Sequence, residues 1–475
     1  MAHWKIHHQS RGSSHWRELM VKISEIAGPE KSAPLHTILQ NVATNACLSN
    51  FSLPGNFPFG TPGSAKYLAR DVVSKLINDE TENVSLYIET YLELLDTVNP
   101  VIDIPSFQTE LKRYSKSPSE TSLCWLAQFL MVLGLGSFVS TDPEPVVATE
   151  FMLAAEACLM QTPFMFRPTL ASLKALTLMV VAKQVCNATC WSVDSAFSLL
   201  GTLVRAAYTF GLPQDKDELE LGEEERRDRR HLWLTIQYID AKVAISSGMP
   251  PVTQMEALRA SMAIDPDLDP PDSMHDVLRQ AFPTIMCITS RMNSEGSEVT
   301  YSDVLEHSAR IRTLIAHAAR VCSSDLQFSI FDIFLRRCLM VLHRPFAMHE
   351  DGPTLYAESY WASLECSLAV LRHYREIYAG DEDTPPGYPL LGRANVLDFF
   401  SATLTVLLSV MRRERPLTDE NMGETVGQIG IPPRQLILNT VRSCIILWEK
   451  EKDRSVCYRT TYDILVEINK MLPET

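Results

Sequence analysis

The stretch EEERRDRRHLWLTIQYIDAKVAISSGMPP, Glu223 to Pro251, decides the predicted fold of this chain. Apolar residues recur along it at helical spacing: Leu232, Ile236, Ile239 and Val243. A face of this kind is typical of a helix that packs against a protein core. We therefore predict a strong amphipathic helix here.

The ends of this stretch carry the expected helix signals. Two acid–base pairs stand four residues apart in the stabilising order, Glu223 with Arg227 and Glu225 with Arg229. The acidic residues also suit the positive end of the helix dipole. Gly248 and then Pro250 should end the helix, because glycine tolerates a left-handed cap and proline cannot continue the hydrogen-bond ladder.

Asp240 is the unusual residue of this helix, since it lies beside the apolar face, four residues after Ile236. A carboxylate in that position needs a partner or a shifted pKa. We expect an ion pair with an arginine of another helix, with Arg205, Arg337 and Arg344 as the candidates. A catalytic role for Asp240 is the less favoured alternative.

Helical patterns follow one another from Ala65 onward, so the predicted fold class is all-α: an irregular array of about a dozen or more helices with no significant β-sheet. Residues 1–64 are expected to be a tail and linker. Gly28 to Gly63 is read as a linker or loosely packed segment, and the first two dozen residues as a frayed, solvated terminus except for a short helix at 15–26. Residues 65–475 should form one regulatory-type domain, with a sub-boundary near 252–274.

Composition bounds the function. The formal net charge is −15, which argues against a broad nucleic-acid or anionic-membrane surface. The eleven cysteines lack regular spacing and indicate reduced thiols. The longest apolar run, at about 126–135, is too short to span a bilayer and should be a buried helix. His3 and His7 are four apart, but no further ligand stands nearby, so we expect no metal site and no cofactor.

A second box runs from Phe334 to Phe346, FLRRCLMVLHRPF, with its apolar face followed by His343, Arg344 and Pro345. One interpretation is a helix that Pro345 ends, with His343 and Arg344 as cationic residues of its last turn. The other is a polar lining for a pocket, with Arg337 as a further member. The first is favoured. No known phosphate-binding, hydrolase or zinc-protease motif occurs in the chain.

Taken in order, these boxes resemble the fungal-specific transcription factor domain, the regulatory middle region of fungal zinc-cluster regulators. The residues that carry the likeness are YIETYLELLDTVNPVIDIPSF at 87–107, the helix at 170–185, AFSLLGTLVRAAYTFGLPQD at 196–215, the stretch at 225–251 and LRRCLMVLHRPFA at 335–347. The resemblance implies a nuclear protein, with the cytoplasm as a second location, that controls metabolic or secondary-metabolite genes. It would act through a small-molecule effector, a protein partner or a homodimer.

One departure from the family pattern stands beside this likeness. Members usually begin with a six-cysteine binuclear zinc cluster that reads DNA, whereas this sequence has only Cys47 before residue 124. We therefore expect weak or no direct DNA binding by this chain and no bound zinc. Two alternatives stay open: a cluster encoded upstream, and a helical scaffold repurposed as a small-molecule-binding protein or cofactor-free enzyme, its polar groups taken from Asp240, Arg337, His343 and Arg344.

Overall fold

A computed structural model describes residues 11–45, 56–97, 99–140, 146–186, 190–213, 221–254, 274–294, 299–322, 324–378, 388–412, 425–426, 429–430, 433–453 and 456–472. The helices are α1 Arg17–Ala27, α2 Pro29–Asn45, α3 Arg70–Asp79, α4 Val84–Thr90, α5 Ile104–Lys116, α6 Leu123–Ser140, α7 Val146–Met160, α8 Leu170–Cys186, α9 Cys190–Phe210, α10 Glu223–Ser247, α11 Met274–Asn293, α12 Tyr301–Val321, α13 Asp325–Ala347, α14 Gly352–Leu355, α15 Ala357–Tyr378, α16 Tyr388–Ala394, α17 Val396–Met411, α18 Arg434–Glu451 and α19 Val456–Lys470. Short 3₁₀ turns stand at Ser64–Tyr67 and Pro118–Glu120, and a π turn at Tyr91–Leu95. Strand structure within these ranges is limited to β1 Thr425–Val426 and β2 Ile429–Gly430, which pair antiparallel. The all-α prediction is confirmed.

Helix α6 lies at the centre of the N-terminal half, where it packs against α4, α7 and α8. Every residue from Cys124 to Phe138 is buried. By length and composition alone α6 could cross a membrane, so the apolar run is longer than the sequence analysis predicted. However, 83% of α6 is buried inside the protein. A helix that is apolar on all sides and enclosed by other helices is a core helix.

Helix α10 differs from the predicted amphipathic helix in its second half. Its first two turns are partly exposed, and Arg229 pairs with Glu225 as predicted, at 3.6 Å. Arg227 instead lies 3.8 Å from Asp103. From Leu232 onward nearly every side chain is buried, polar ones included, because α8, α9, α11 and α13 surround the helix.

The C-terminal half is built on α13, α15 and α17, with α18 and α19 covering them. Aromatic rings fill the junction: Tyr374 stacks on Trp448 with 5.3 Å between ring centroids, and its other neighbours are Phe399 and Tyr378. Trp448 is fully buried. Large rings at the meeting point of three helices bury much apolar area at a low cost in side-chain entropy.

One predicted boundary was wrong. The predicted linker at 28–63 contains α2, whose Leu35 and Leu39 are buried, and α2 packs on α19. Helix α16 likewise begins in a stretch rich in proline and glycine. The N-cap of α12 is Thr300, in a capping box with Asp303. Helices α2 and α16 are stabilised by apolar contacts with residues that are distant in the sequence. Local composition does not reveal such contacts. The sub-boundary predicted near 252–274 falls mostly on residues outside the described ranges.

Candidate functional site

Asp240 is fully buried in α10, and its partners are backbone amides rather than an arginine. The amide N–H of Val252 donates to Oδ1 at 3.0 Å, and that of Thr253 to Oδ2 at 2.7 Å. Burial raises the pKa of Asp240, and these donors partly offset the shift. Among the described residues, Asp240 makes no ion pair with Arg205, Arg337 or Arg344, so the predicted partner was wrong.

The physical reason is the path of the chain after α10. Gly248 adopts φ +69°, the left-handed cap that the sequence predicts, and the chain then doubles back along the last turns of the helix. This return brings the amides of Val252 and Thr253 onto the carboxylate twelve and thirteen residues earlier. Asp240 therefore holds the segment that follows α10 against the helix.

Arg337 of α13 is buried and pairs with a carboxylate from another helix. Its Nε lies 3.2 Å from Oδ1 of Asp398 in α17, and its Nη2 donates to the carbonyl of Ser14 at 3.0 Å. Burial raises the pKa of Asp398, and Arg337 and Lys242 act in the opposite direction. Lys242 of α10 donates to Oδ1 of Asn395 at 3.0 Å. We call Lys242, Arg337 and Asp398 the buried charge cluster.

Arg344 of α13 holds three successive carbonyl groups of the N-terminal segment. Its Nη1 lies 2.7, 3.0 and 2.9 Å from the oxygens of Ser13, Ser14 and His15. The helix does not end at Pro345 as predicted but continues to Ala347. The carbonyl of Ala347, at the C-terminal end of α13, accepts from Arg412 at 2.6 Å, and Arg412 is the residue that follows α17. Arg344 lies in the last turn of α13 as predicted, but its guanidinium bonds the N-terminal segment and does not cap the helix.

His343 lies on another side of α13, and within the described residues it makes no hydrogen bond to either of these arginines. Its two ring nitrogens lie 2.8 Å from Oγ of Ser359 and 2.9 Å from Oγ of Ser308. Burial, with a smaller contribution from Arg312, lowers the pKa of His343 to about 3. The ring is therefore neutral at physiological pH and joins α13 to α12 and α15.

The segment Arg11–Trp16 is the feature that sequence reasoning missed, and we call it the N-terminal anchor. The amide of Gly12 donates to the carbonyl of Gly248 at 2.8 Å, and the amide of Ser13 to that of Met292 at 3.0 Å. Oγ of Ser14 donates to Ile245 at 2.9 Å. The anchor thus pairs with the C-terminal carbonyls of α10 and α11, which helix geometry leaves without partners.

The fit of the anchor is close. A Cβ atom on Gly12 would overlap the backbone of Asn293, and one on Gly248 would lie 2.9 Å from Cβ of His15. His15 is buried, and burial together with Arg17, Arg11, Arg337 and Arg344 lowers its pKa well below the usual value. The predicted frayed terminus is therefore wrong from Arg11 onward. The contact brings together three distant parts of the sequence, namely Gly12, Gly248 and the arginines of α13, and no local pattern reveals it.

A second polar network links α12, α13 and α15 and was also not predicted. Arg336 lies 2.8 Å from Asp332 and 2.6 Å from Glu365, and His373 lies 2.7 Å from Asp332. Arg312 adds a contact to Glu365 at 3.0 Å. Every charge has an opposite partner, which is the condition for burying such groups.

Metal-binding geometry is not present in the ranges that the structure describes: no three His, Cys, Asp or Glu side chains converge there. The histidines His3 and His7 lie outside those ranges. Burial raises the pKa of the Cys186 thiol, which keeps it protonated and a poor metal ligand.

Comparison with known proteins shows that the region from the end of α4 through α11 is similar to one family of domains. The model of the fungal-specific transcription factor domain matches residues 88–297, which include Asp240 and the whole of α10. This chain contains a fungal-specific transcription factor domain. Arg337, His343 and Arg344 lie beyond the matched span, on a helix that packs against the domain. The anchor and the buried charge cluster therefore join the domain to the C-terminal half.

Three relatives are named transcription factors. Transcription factor opdR of Penicillium oxalicum is 21% identical over 331 residues, 60% of this chain and 40% of the relative. Transcription factor asR3 of Sarocladium schorii is 20% identical, over 62% and 40% of the two chains. Transcription factor lepE of Aspergillus flavus is 19% identical, over 67% and 41%. The chain spans about two fifths of the length of these relatives. No solved structure matches it.

Proposed function

We propose that this chain is a regulatory body of a fungal transcription regulator that acts in the nucleus. The observation that carries the proposal is the fungal-specific transcription factor domain at 88–297, together with relatives that are themselves named transcription factors. The controlled genes would be metabolic or secondary-metabolite genes. The output would pass through a protein partner, a second copy of the chain or a small effector, since the acidic balance of this chain does not suit DNA.

The internal geometry supports a rigid body rather than a catalytic pocket at the predicted polar residues. Asp240 and His343 make structural hydrogen bonds, and Nη1 of Arg344 bonds three backbone carbonyls. Arg337 borders a cavity of about 30 Å³. Sites for drug-sized ligands occupy roughly 300–1,000 Å³, so an organic substrate does not fit there. The alternative of a repurposed small-molecule enzyme gains no support from these four residues.

A reporter assay tests the proposal. The chain is fused to an unrelated DNA-binding domain and expressed in a fungal host with that domain's operator upstream of a reporter gene. We expect reporter transcription to rise or fall at least several-fold relative to the DNA-binding domain alone. The matched control carries Ile236→Asp, which places a charge in the fully buried face of α10 and should abolish the effect.

Reporter output identical to that of the DNA-binding domain alone, from a fusion shown by immunoblot to be nuclear and intact, would contradict the proposed role. An equal response from the Ile236→Asp fusion would show that the folded body does not produce it.

A further inference from the structure

A small cavity opens beside the buried charge cluster, where α10 and α13 meet the junction of α16 and α17. Its volume is about 30 Å³, and its polar lining comes from Lys242, Arg337, Asp398 and Gln184, with Phe334 and Leu397 as apolar walls. Space of this size accommodates about one water-sized group.

Arg337 lines this cavity and has unused donors. The residue is 2% exposed. Its Nη2 donates to Ser14 and its Nε lies 3.2 Å from Oδ1 of Asp398, but Nε and Nη1 are both buried and without a hydrogen-bond partner within the described ranges. A charged donor that has no acceptor in the protein interior is unfavourable. We therefore expect Nη1 to have an acceptor in the cavity.

Lys242 supplies a second cation on the same lining. Its ammonium donates to neutral oxygens, Oδ1 of Asn395 at 3.0 Å and the carbonyl of Ala394 at 3.4 Å. An ammonium group has three donors, and besides these two oxygens Lys242 has only a distant ring contact among the described residues, with Tyr238 at 5.8 Å from the centroid. A third donor can therefore reach a further acceptor. Asp398 is the carboxylate that shares the lining and is already 3.2 Å from Arg337.

The charges around the cavity therefore do not balance. Two cations, Lys242 and Arg337, line the cavity with one carboxylate, that of Asp398. Arg344 lies behind them, bonded to neutral carbonyls, and Glu18 is the acidic residue that acts on it. His15, packed among the same arginines, is neutral. In a region of low dielectric constant, an uncompensated positive charge attracts a counter-ion.

We propose that this cavity binds one small monovalent anion, chloride or the carboxylate of formate, between Lys242, the Gln184 amide and Nη1 of Arg337. The bound anion would accept from the unused donors and neutralise the excess charge of the cluster. It would thereby stabilise the contact among α10, α13, α17 and the N-terminal anchor.

Thermal unfolding of the full chain tests the proposal. Melting temperatures are measured in sodium gluconate, with chloride, bromide or formate replacing gluconate at constant ionic strength and pH. We expect a rise of a few degrees that saturates with chloride or formate, because a ligand that binds only the folded state stabilises it by mass action. The separate chloride and formate series tell the two sources of anion apart.

Two variants locate the effect. Lys242→Met keeps the length of the side chain and removes its charge, and Gln184→Leu removes an amide from the lining; either should abolish the anion dependence or weaken it at least tenfold. Lys116→Met, at an exposed position of α5, is the matched control and should keep it. Crystals of the unmodified chain grown in bromide should show an anomalous peak in the cavity.

Equal melting temperatures in gluconate and in all three small anions would overturn the proposal. So would an anion effect that Lys242→Met and Gln184→Leu both retain, since the anion would then bind elsewhere. A bromide-grown crystal without an anomalous peak in the cavity would show that the cavity holds water only.

Discussion

At the scale of single residues, Asp240 determines how the chain leaves α10. Asp240→Ala removes the acceptor of two amides, of which that of Thr253 is buried. An orphaned buried donor costs about 1–3 kcal/mol, so we expect the free energy of unfolding to fall by about 2–4 kcal/mol. Asp240→Asn keeps one acceptor oxygen and should lose about half as much. Urea unfolding measures both.

The control for this pair is Glu89→Ala, at an exposed position of α4, which should change the free energy of unfolding by less than about 0.5 kcal/mol. Changes that small in both Asp240 variants would mean that the two amides are satisfied in some other way.

The lowered pKa of His343 predicts that the free energy of unfolding depends on pH. Its pKa is lowered from the usual 6.5 to about 3 in the folded chain, so the unfolded chain binds the extra proton between these values. Stability from this residue is complete above about pH 6.5 and is lost as the pH falls toward 3. At about 1.4 kcal/mol per pH unit, we expect a loss of roughly 2 kcal/mol between pH 6.5 and 5.

Urea unfolding at several pH values measures this slope. His343→Gln, whose amide can still bond Ser308 and Ser359, should reduce the slope by about one proton, while the exposed His349→Gln should leave it unchanged. If the free energy of unfolding of His343→Gln changed with pH as steeply as that of the unmodified chain, the lowered pKa would not belong to His343.

At the scale of elements, the N-terminal anchor is expected to hold the ends of α10 and α11. Gly12→Ala places a methyl group against the backbone of Asn293, which cannot move away easily. We expect the amides of residues 12 and 13 to exchange with deuterium at least tenfold faster in this variant, with smaller increases in α1. Hydrogen exchange with mass spectrometry measures the change.

Gly201→Ala is the matched control, because a Cβ at Gly201 in α9 meets nothing within 4 Å. It should leave exchange in the anchor unchanged. Protection of Gly12 and Ser13 that is equal in both variants would show that the anchor does not depend on this close approach.

The helices were largely predictable and their polar partners were not. Apolar periodicity gave α10 from Glu223 to within one residue of its end, and Gly248 gave its cap, because these signals are local. The contacts of Asp240, Arg337 and Arg344 depend on where distant segments pass. Ser14 lies 323 residues from Arg337, and a single sequence holds no record of that approach. Helix α2 was missed for the same reason, since it is buried by packing against α19 and its own sequence pattern does not show this.

At the scale of the whole molecule, the net charge of −15 makes a prediction about nucleic acid. Binding to duplex DNA needs clustered Lys and Arg that displace counter-ions. We expect the purified chain to bind duplex DNA no more tightly than about micromolar near physiological salt, without sequence preference. Fluorescence anisotropy with several duplexes measures this, and a sub-micromolar complex that depends on sequence would contradict it.

The central proposal is that this chain regulates transcription, and it is tested most directly by RNA sequencing after deletion of its gene in the organism that encodes it. We predict that a defined set of metabolic or secondary-metabolite transcripts changes several-fold, and that the unmodified gene restores it but the Ile236→Asp allele does not. A deletion strain with altered metabolites and unchanged transcripts would contradict the claim and favour a catalytic role.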